Sequence, residues 1–174
     1  MAELTALGAA RAPWAVGAFK TLRGREGLGF QFSVKHLGKA VASVSDYGDG
    51  GSLHIHWSDR SLESAFHTWL LDYARKAGVE KEHRDWMVEH SIEDRGHFEE
   101  TVFELGIQRW ANDHDVQARL ARWCRTKVVF QVGDQIGTDR WTTIRGTLTP
   151  EVRAMIERYH AGKTVRFAND EVGR

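Results

Sequence analysis

Leu28-Gly-Phe-Gln-Phe-Ser-Val-Lys35 alternates along its length, with Leu28, Phe30, Phe32 and Val34 on one side and Gln31, Ser33 and Lys35 on the other. A period of two marks a strand buried on one face, because successive Cβ atoms leave a pleated backbone in opposite directions. The same rule applies to Leu53-His-Ile-His-Trp57, where His54 and His56 emerge together opposite Leu53, Ile55 and Trp57. Between these stretches, a turn at Leu37 and Gly38 leads into a strand over Ala40–Asp46, and Asp46-Tyr-Gly-Asp-Gly-Gly51 has the composition of a second turn. With Val16–Leu22 as a first strand, the region up to Trp57 is expected to be an antiparallel meander.

Downstream of Trp57 the period changes. Leu62, Phe66, Trp69, Leu70, Tyr73 and Ala77 follow helical spacing, with Ser58, Asp59 or Ser61 available as caps and Gly78 placed to end the helix. Glu80–His90 is charged and weakly periodic, which fits a short helix or a docking loop. Phe98, Val102 and Leu105 form one apolar row and Phe103, Ile107 and Trp110 another, so a central helix is expected here. Asn112–Asp115 offers capping side chains, and Val116, Leu120, Trp123 and Cys124 then predict a separate helix. Lys127–Val132 and Arg140–Gly146 look like strands around a loop containing Gly133, Asp134, Gly137 and Asp139. Thr149-Pro150 opens a last amphipathic helix carrying Val152, Met155, Ile156 and Tyr159, and Val165–Phe167 reads as a short final strand.

The order of elements favours an α+β fold: an N-terminal antiparallel β-meander, central helices, and a C-terminal β-hairpin plus helix. Met1–Trp14, rich in Ala and without a stable period, is expected to be a flexible arm. Residues 15–174 are expected to form a single domain, with a seam near Thr126 compatible with the pattern. The 174 residues suffice for one core, and 41% hydrophobic with 28% charged residues is a globular composition. No apolar run approaches the roughly 20 residues of a membrane span. An N-terminus without a basic-then-apolar leader and a single cysteine, Cys124, lead to an expectation of the cytoplasm, with no disulfide.

Lys and Arg balance Asp and Glu at 24 each, which disfavours nonspecific nucleic-acid binding. Arg119, Arg122, Arg125 and Lys127 nevertheless cluster at one predicted helix end, where a basic run is ordinarily a solvated terminus. His54 and His56 could place two nitrogens on a metal, with Asp46 as a third ligand and Asp49 or Glu26 as a general base. A His-x-His pair on a strand is more commonly a water-facing surface, so no metal and no cofactor is expected. Gly48, Gly50 and Gly51 read as a connector before an anion nest, since no phosphate-loop lysine accompanies them. The spacing of His83, His90, His97 and Glu99 does not reproduce a zinc-protease helix, and no serine elbow is present. Cys124 falls on an apolar stripe, although Arg122 and Arg125 would lower its pKa if it were exposed. Most of the seven tryptophans should be core, with Trp86 and Trp141 as candidate partner anchors.

Phe19-Lys-Thr-Leu-Arg-Gly-Arg-Glu-Gly27, Gly38-Lys-Ala-Val41 and Asp46-Tyr-Gly-Asp-Gly-Gly51, with Cys124-Arg-Thr-Lys-Val-Val-Phe130 and Thr149-Pro-Glu-Val152 further on, resemble small uncharacterised proteins encoded by phages and plasmids. The resemblance implies accessory work for a mobile element, such as inhibiting a host defence complex, as anti-CRISPR or anti-restriction proteins do, and it defines no catalytic residue. The chain thus reads first as a non-catalytic protein-binding factor. Its binding surface is expected to comprise Gln31, Ser33, Lys35, Asp46, Asp49, His54 and His56, with another protein, one that itself handles nucleic acid, as partner. A metal-dependent hydrolase using His54, His56 and Asp46, and a nucleic-acid binder using Arg119, Arg122, Arg125 and Lys127, are the alternatives.

Overall fold

A computed structural model of the chain describes residues 13–94, 96–138 and 140–172. Its contacts divide the chain into two compact units, Met1–Asp113 and His114–Arg174. Most of the expected N-terminal arm, and Asp139 of the expected hairpin loop, lie outside the described residues. Trp14, read as the end of that arm, instead starts the first strand and is 5% exposed, its indole packed on Phe66 and His36.

The first unit holds strands β1 (Trp14–Arg23), β2 (Leu28–His36), β3 (Lys39–Asp46) and β4 (His54–Trp57) in an antiparallel sheet of order β1-β2-β3-β4. A bulge between Gly17 and Lys20, with Ala18 at φ 50, resets the register of β1 and sends Phe19 inward onto Phe30 and Phe32. Leu37 (φ 49) and Gly38 (φ 87) join β2 to β3 with both residues left-handed, the conformation that matches the twist of a two-residue hairpin. Val16, Phe32, Val34 and Val44 bury the inner face of the sheet against Phe66 and Leu70 of helix α1 (Glu63–Lys76) and against Ile107 and Trp110 of α3 (Phe98–Trp123).

The charged stretch after Gly78 is a helix, α2 (Val79–Glu89). Its periodicity is faint because only Val79 is buried; Glu80–Arg84 at 3.2 Å and Lys81–Asp85 at 2.5 Å lace its exposed face. The two helices expected around residues 98–124 are one, since α3 runs unbroken through Asn112–Asp115. Asp113 caps nothing: its Oδ2 accepts a 2.5 Å hydrogen bond from the Tyr73 hydroxyl. With no Gly or Pro at 112–115, nothing stops the helix.

In the second unit, β5 (Lys127–Val132) lies between β6 (Thr142–Arg145) and β7 (Val165–Phe167), all antiparallel. Val128, Phe130 and Phe167 pack on Ile156 of α4 (Pro150–Tyr159), whose N-cap Thr149 accepts from the Val152 amide. On the opposite face, Val129 packs with Leu120 and Ala168. Asn169 closes that end of β5, accepting from the Val129 amide at 2.8 Å and donating to the Lys127 carbonyl at 2.9 Å. The mixed α+β architecture is that expected from the sequence, with the strands in two sheets.

Candidate functional site

Cross-strand register assembles the outer face of the first sheet. One row runs Lys20, Gln31, Ser45, His54 and the next Gly17, Ser33, Ser43, His56, while Lys35 starts a third. Both imidazoles are exposed, as is Gln31, and Ile55 and Trp57 turn inward onto the core. Among the described residues, the side chains of Gln31, Ser33, Lys35, Ser43, Ser45 and His56 make no hydrogen bond or ion pair within the chain. The His54 ring leans on Tyr47, with centroids 5.5 Å apart.

Gly17 shapes the surface by absence of a side chain. A Cβ there would lie 2.4 Å from the Cε of Lys35 and 2.9 Å from the Ser33 hydroxyl, so the lysine stem rests directly on bare backbone. Sequence reading identified neither Gly17 nor the two serines. The serines were legible in Ala42-Ser-Val-Ser-Asp46, which alternates like β2; the bulge hid the placement of Gly17.

Asp46 does not join the two histidines. It pairs with Phe30 and has the parity of Val44, so it leaves the strand on the side opposite Ser45 and His54, and its Oδ1 accepts from the Gly48 amide at 2.7 Å. Among the described residues, no group of three or more His, Cys, Asp or Glu side chains could hold a metal ion. The His54, His56, Asp46 ligand set is therefore not assembled, and Asp46 shapes the turn instead of joining the outer face of the sheet. Asp49 is exposed beside that face and accepts from the Gly51 amide at 3.3 Å. Glu26, the other candidate base, reaches toward Gly50 from the β1–β2 turn.

These two turns interlock. The Glu26 amide donates to the Gly48 carbonyl at 2.9 Å, and Cβ atoms at Gly24 or Gly29 would fall 2.0 and 2.1 Å from the carbonyl oxygens of Tyr47 and Asp46. Only glycine allows backbones to approach this closely.

The basic residues singled out from sequence lie in the second unit. The Arg119 guanidinium is 5.7 Å, and the Lys127 ammonium 5.5 Å, from the centroid of the Trp123 ring. Arg122 and Arg125 are exposed. Lys127 stands directly opposite Arg145 across β5 and β6, and this arginine was not recognised from sequence. Cys124, placed by its sequence on an apolar stripe, is partly buried; burial first, and then the Glu171 carboxylate, holds its thiol above the ordinary value. Gln131, fully buried, donates from Nε2 to the carbonyls of Thr138 and Arg140.

The two tryptophans read as anchors differ. Trp86 is 46% exposed, stacks between His83 and His90, and opens on a groove of about 640 Å³ between α2 and α3, lined also by Val79, Leu105 and Arg109. Trp141 is half-buried beside Leu120 and Val129, with the Arg166 guanidinium 5.7 Å from its ring. No helix among the described residues is long and apolar enough to cross a membrane. Comparison with known proteins finds no matching family model, curated protein or solved structure.

Proposed function

We propose that the chain is a non-catalytic binding protein whose outer sheet face docks on another protein. The observation that carries this reading is the set of polar side chains on that face whose hydrogen-bonding groups find no partner among the described residues. Serines have little rotamer freedom to lose, and the long Lys35 side chain is already laid down over Gly17. A surface of this kind loses little entropy when it is covered, which favours association. The resemblance to phage and plasmid proteins supports an accessory role for a mobile element, with a host defence complex as the partner. Nothing in the arrangement of His54, His56 and Asp46 favours the hydrolase reading.

Three variants test this in a capture experiment from host extract: His54→Asp, Lys35→Glu and Gly17→Ala. The last lifts Lys35 from the sheet by displacing the flexible end of its side chain and the Ser33 hydroxyl, with no backbone atom in the way, so the fold should persist. Each is expected to weaken capture at least about tenfold, the equivalent of about 1.4 kcal/mol, with circular dichroism unchanged. Retention of a specific partner by all three would remove this face as the interface.

A further inference from the structure

The neutral total charge conceals a division. Residues 114–174 carry 11 Lys and Arg against 7 Asp and Glu, whereas residues 1–113 carry 13 against 17. Within the second unit several acids are already engaged, Asp170 by Arg153 at 2.6 Å and Glu171 by Arg166 at 2.7 Å. Near the end of α3, Asp115 lies 4.0 Å from Arg119. Among the described residues, Arg122, Arg125, Lys127 and Arg145 enter no ion pair.

We propose that Arg119 and Lys127, which flank the Trp123 ring, together with Arg122, Arg125 and Arg145 from the adjoining helix end and strand, form a binding surface for single-stranded nucleic acid. Two observations point to this ligand over a merely solvated helix end. Lys127 and Arg145 face each other directly across the β5–β6 ladder, an arrangement that works against the sheet unless an anion lies between them. A phosphate would supply that charge. The partly exposed Trp123 ring and the Arg119 guanidinium beside it add stacking surfaces, which unpaired bases can use and a closed duplex cannot. Sugar-phosphate along Arg122, Arg125, Lys127 and Arg145, with bases turned toward Trp123 and Arg119, satisfies both features.

The proposal concerns a different surface from the outer sheet face and stands or falls separately. The test is fluorescence anisotropy with a labelled oligothymidylate of about 12 nucleotides at roughly 50 mM salt, using the full chain. Binding is expected, with affinity falling as salt rises by about 0.7 in logarithmic slope per phosphate contact. The double variant Arg122→Glu, Arg125→Glu should weaken it at least about tenfold, whereas His54→Asp should leave it unchanged. Arg145→Glu carries a second readout: placing opposite charges across β5 and β6, it should raise the melting temperature while lowering affinity. No binding at low salt, binding untouched by the basic-to-acidic variants, a melting temperature lowered by Arg145→Glu, or preference for duplex DNA or polyglutamate over the single strand would each overturn the proposal.

Discussion

Leu37 is a residue whose local conformation and chemistry disagree. It sits at φ 49, is 80% exposed, and contacts nothing that rewards its bulk, yet an L side chain in the left-handed region costs about 1 kcal/mol or more. Asn tolerates that region best among the non-glycine residues. Leu37→Asn should therefore raise stability by about 1 kcal/mol, read as a higher urea midpoint with unchanged slope. Asn169 is the opposite case, since it is easily passed over in Ala168-Asn-Asp170 but is bonded on both its amide oxygen and nitrogen. Loss of its bonds to Val129 and Lys127 in Asn169→Ala should cost roughly 2 kcal/mol, measured by the same titration.

At the scale of elements, what could be read from sequence followed how one-sided burial was. The meander from Leu28 to Trp57 was legible because Phe30, Phe32, Val34, Val44 and Ile55 alternate with Gln31, Ser33, Ser43, Ser45, His54 and His56, although Leu28, at the open end of the row, is 74% exposed. Helix α2 was not, because a helix that buries one residue leaves almost no periodic trace. The false break in α3 came from reading Asn112–Asp115 as caps, when Asp113 is in fact engaged with Tyr73 on α1. The candidate face was legible in His54 and His56, but the exclusion of Asp46 required the β2–β3 register. The Tyr73–Asp113 bond also makes a pH prediction. Burial first, and then the Asp113 carboxylate, pushes the Tyr73 pKa up, so the folded chain keeps a proton that the unfolded chain releases above about pH 10. The unfolded state then binds fewer protons, and stability falls as pH rises beyond that point. Unfolding midpoints should decline from pH 9 to 11 in the wild type and decline less in Tyr73→Phe, which itself loses about 1 kcal/mol at neutral pH.

For the whole molecule, a pI near 7.1 and zero net charge describe a sum that neither unit shares. Such a chain should be retained on both cation and anion exchangers at neutral pH and low salt, because each resin meets the unit of opposite sign. Arg122→Glu with Arg125→Glu should reduce retention on the cation exchanger more than a change of charge in the first unit; equal effects would show that the basic surplus is not localised. A neutral total also removes the repulsion that keeps molecules apart, so self-association should be greatest near pH 7 and relieved by salt.

Six glycines in two turns, Gly24, Gly27, Gly29, Gly48, Gly50 and Gly51, would ordinarily mark the place where a peptidase first nicks a chain, since an exposed flexible loop threads readily into a cleft. Here the two turns clasp each other backbone to backbone, and neither can peel away without surrendering the Glu26–Gly48 bond. Limited digestion should accordingly spare this glycine-rich region while the fold holds, and cleavage there would report that the sheet itself has opened.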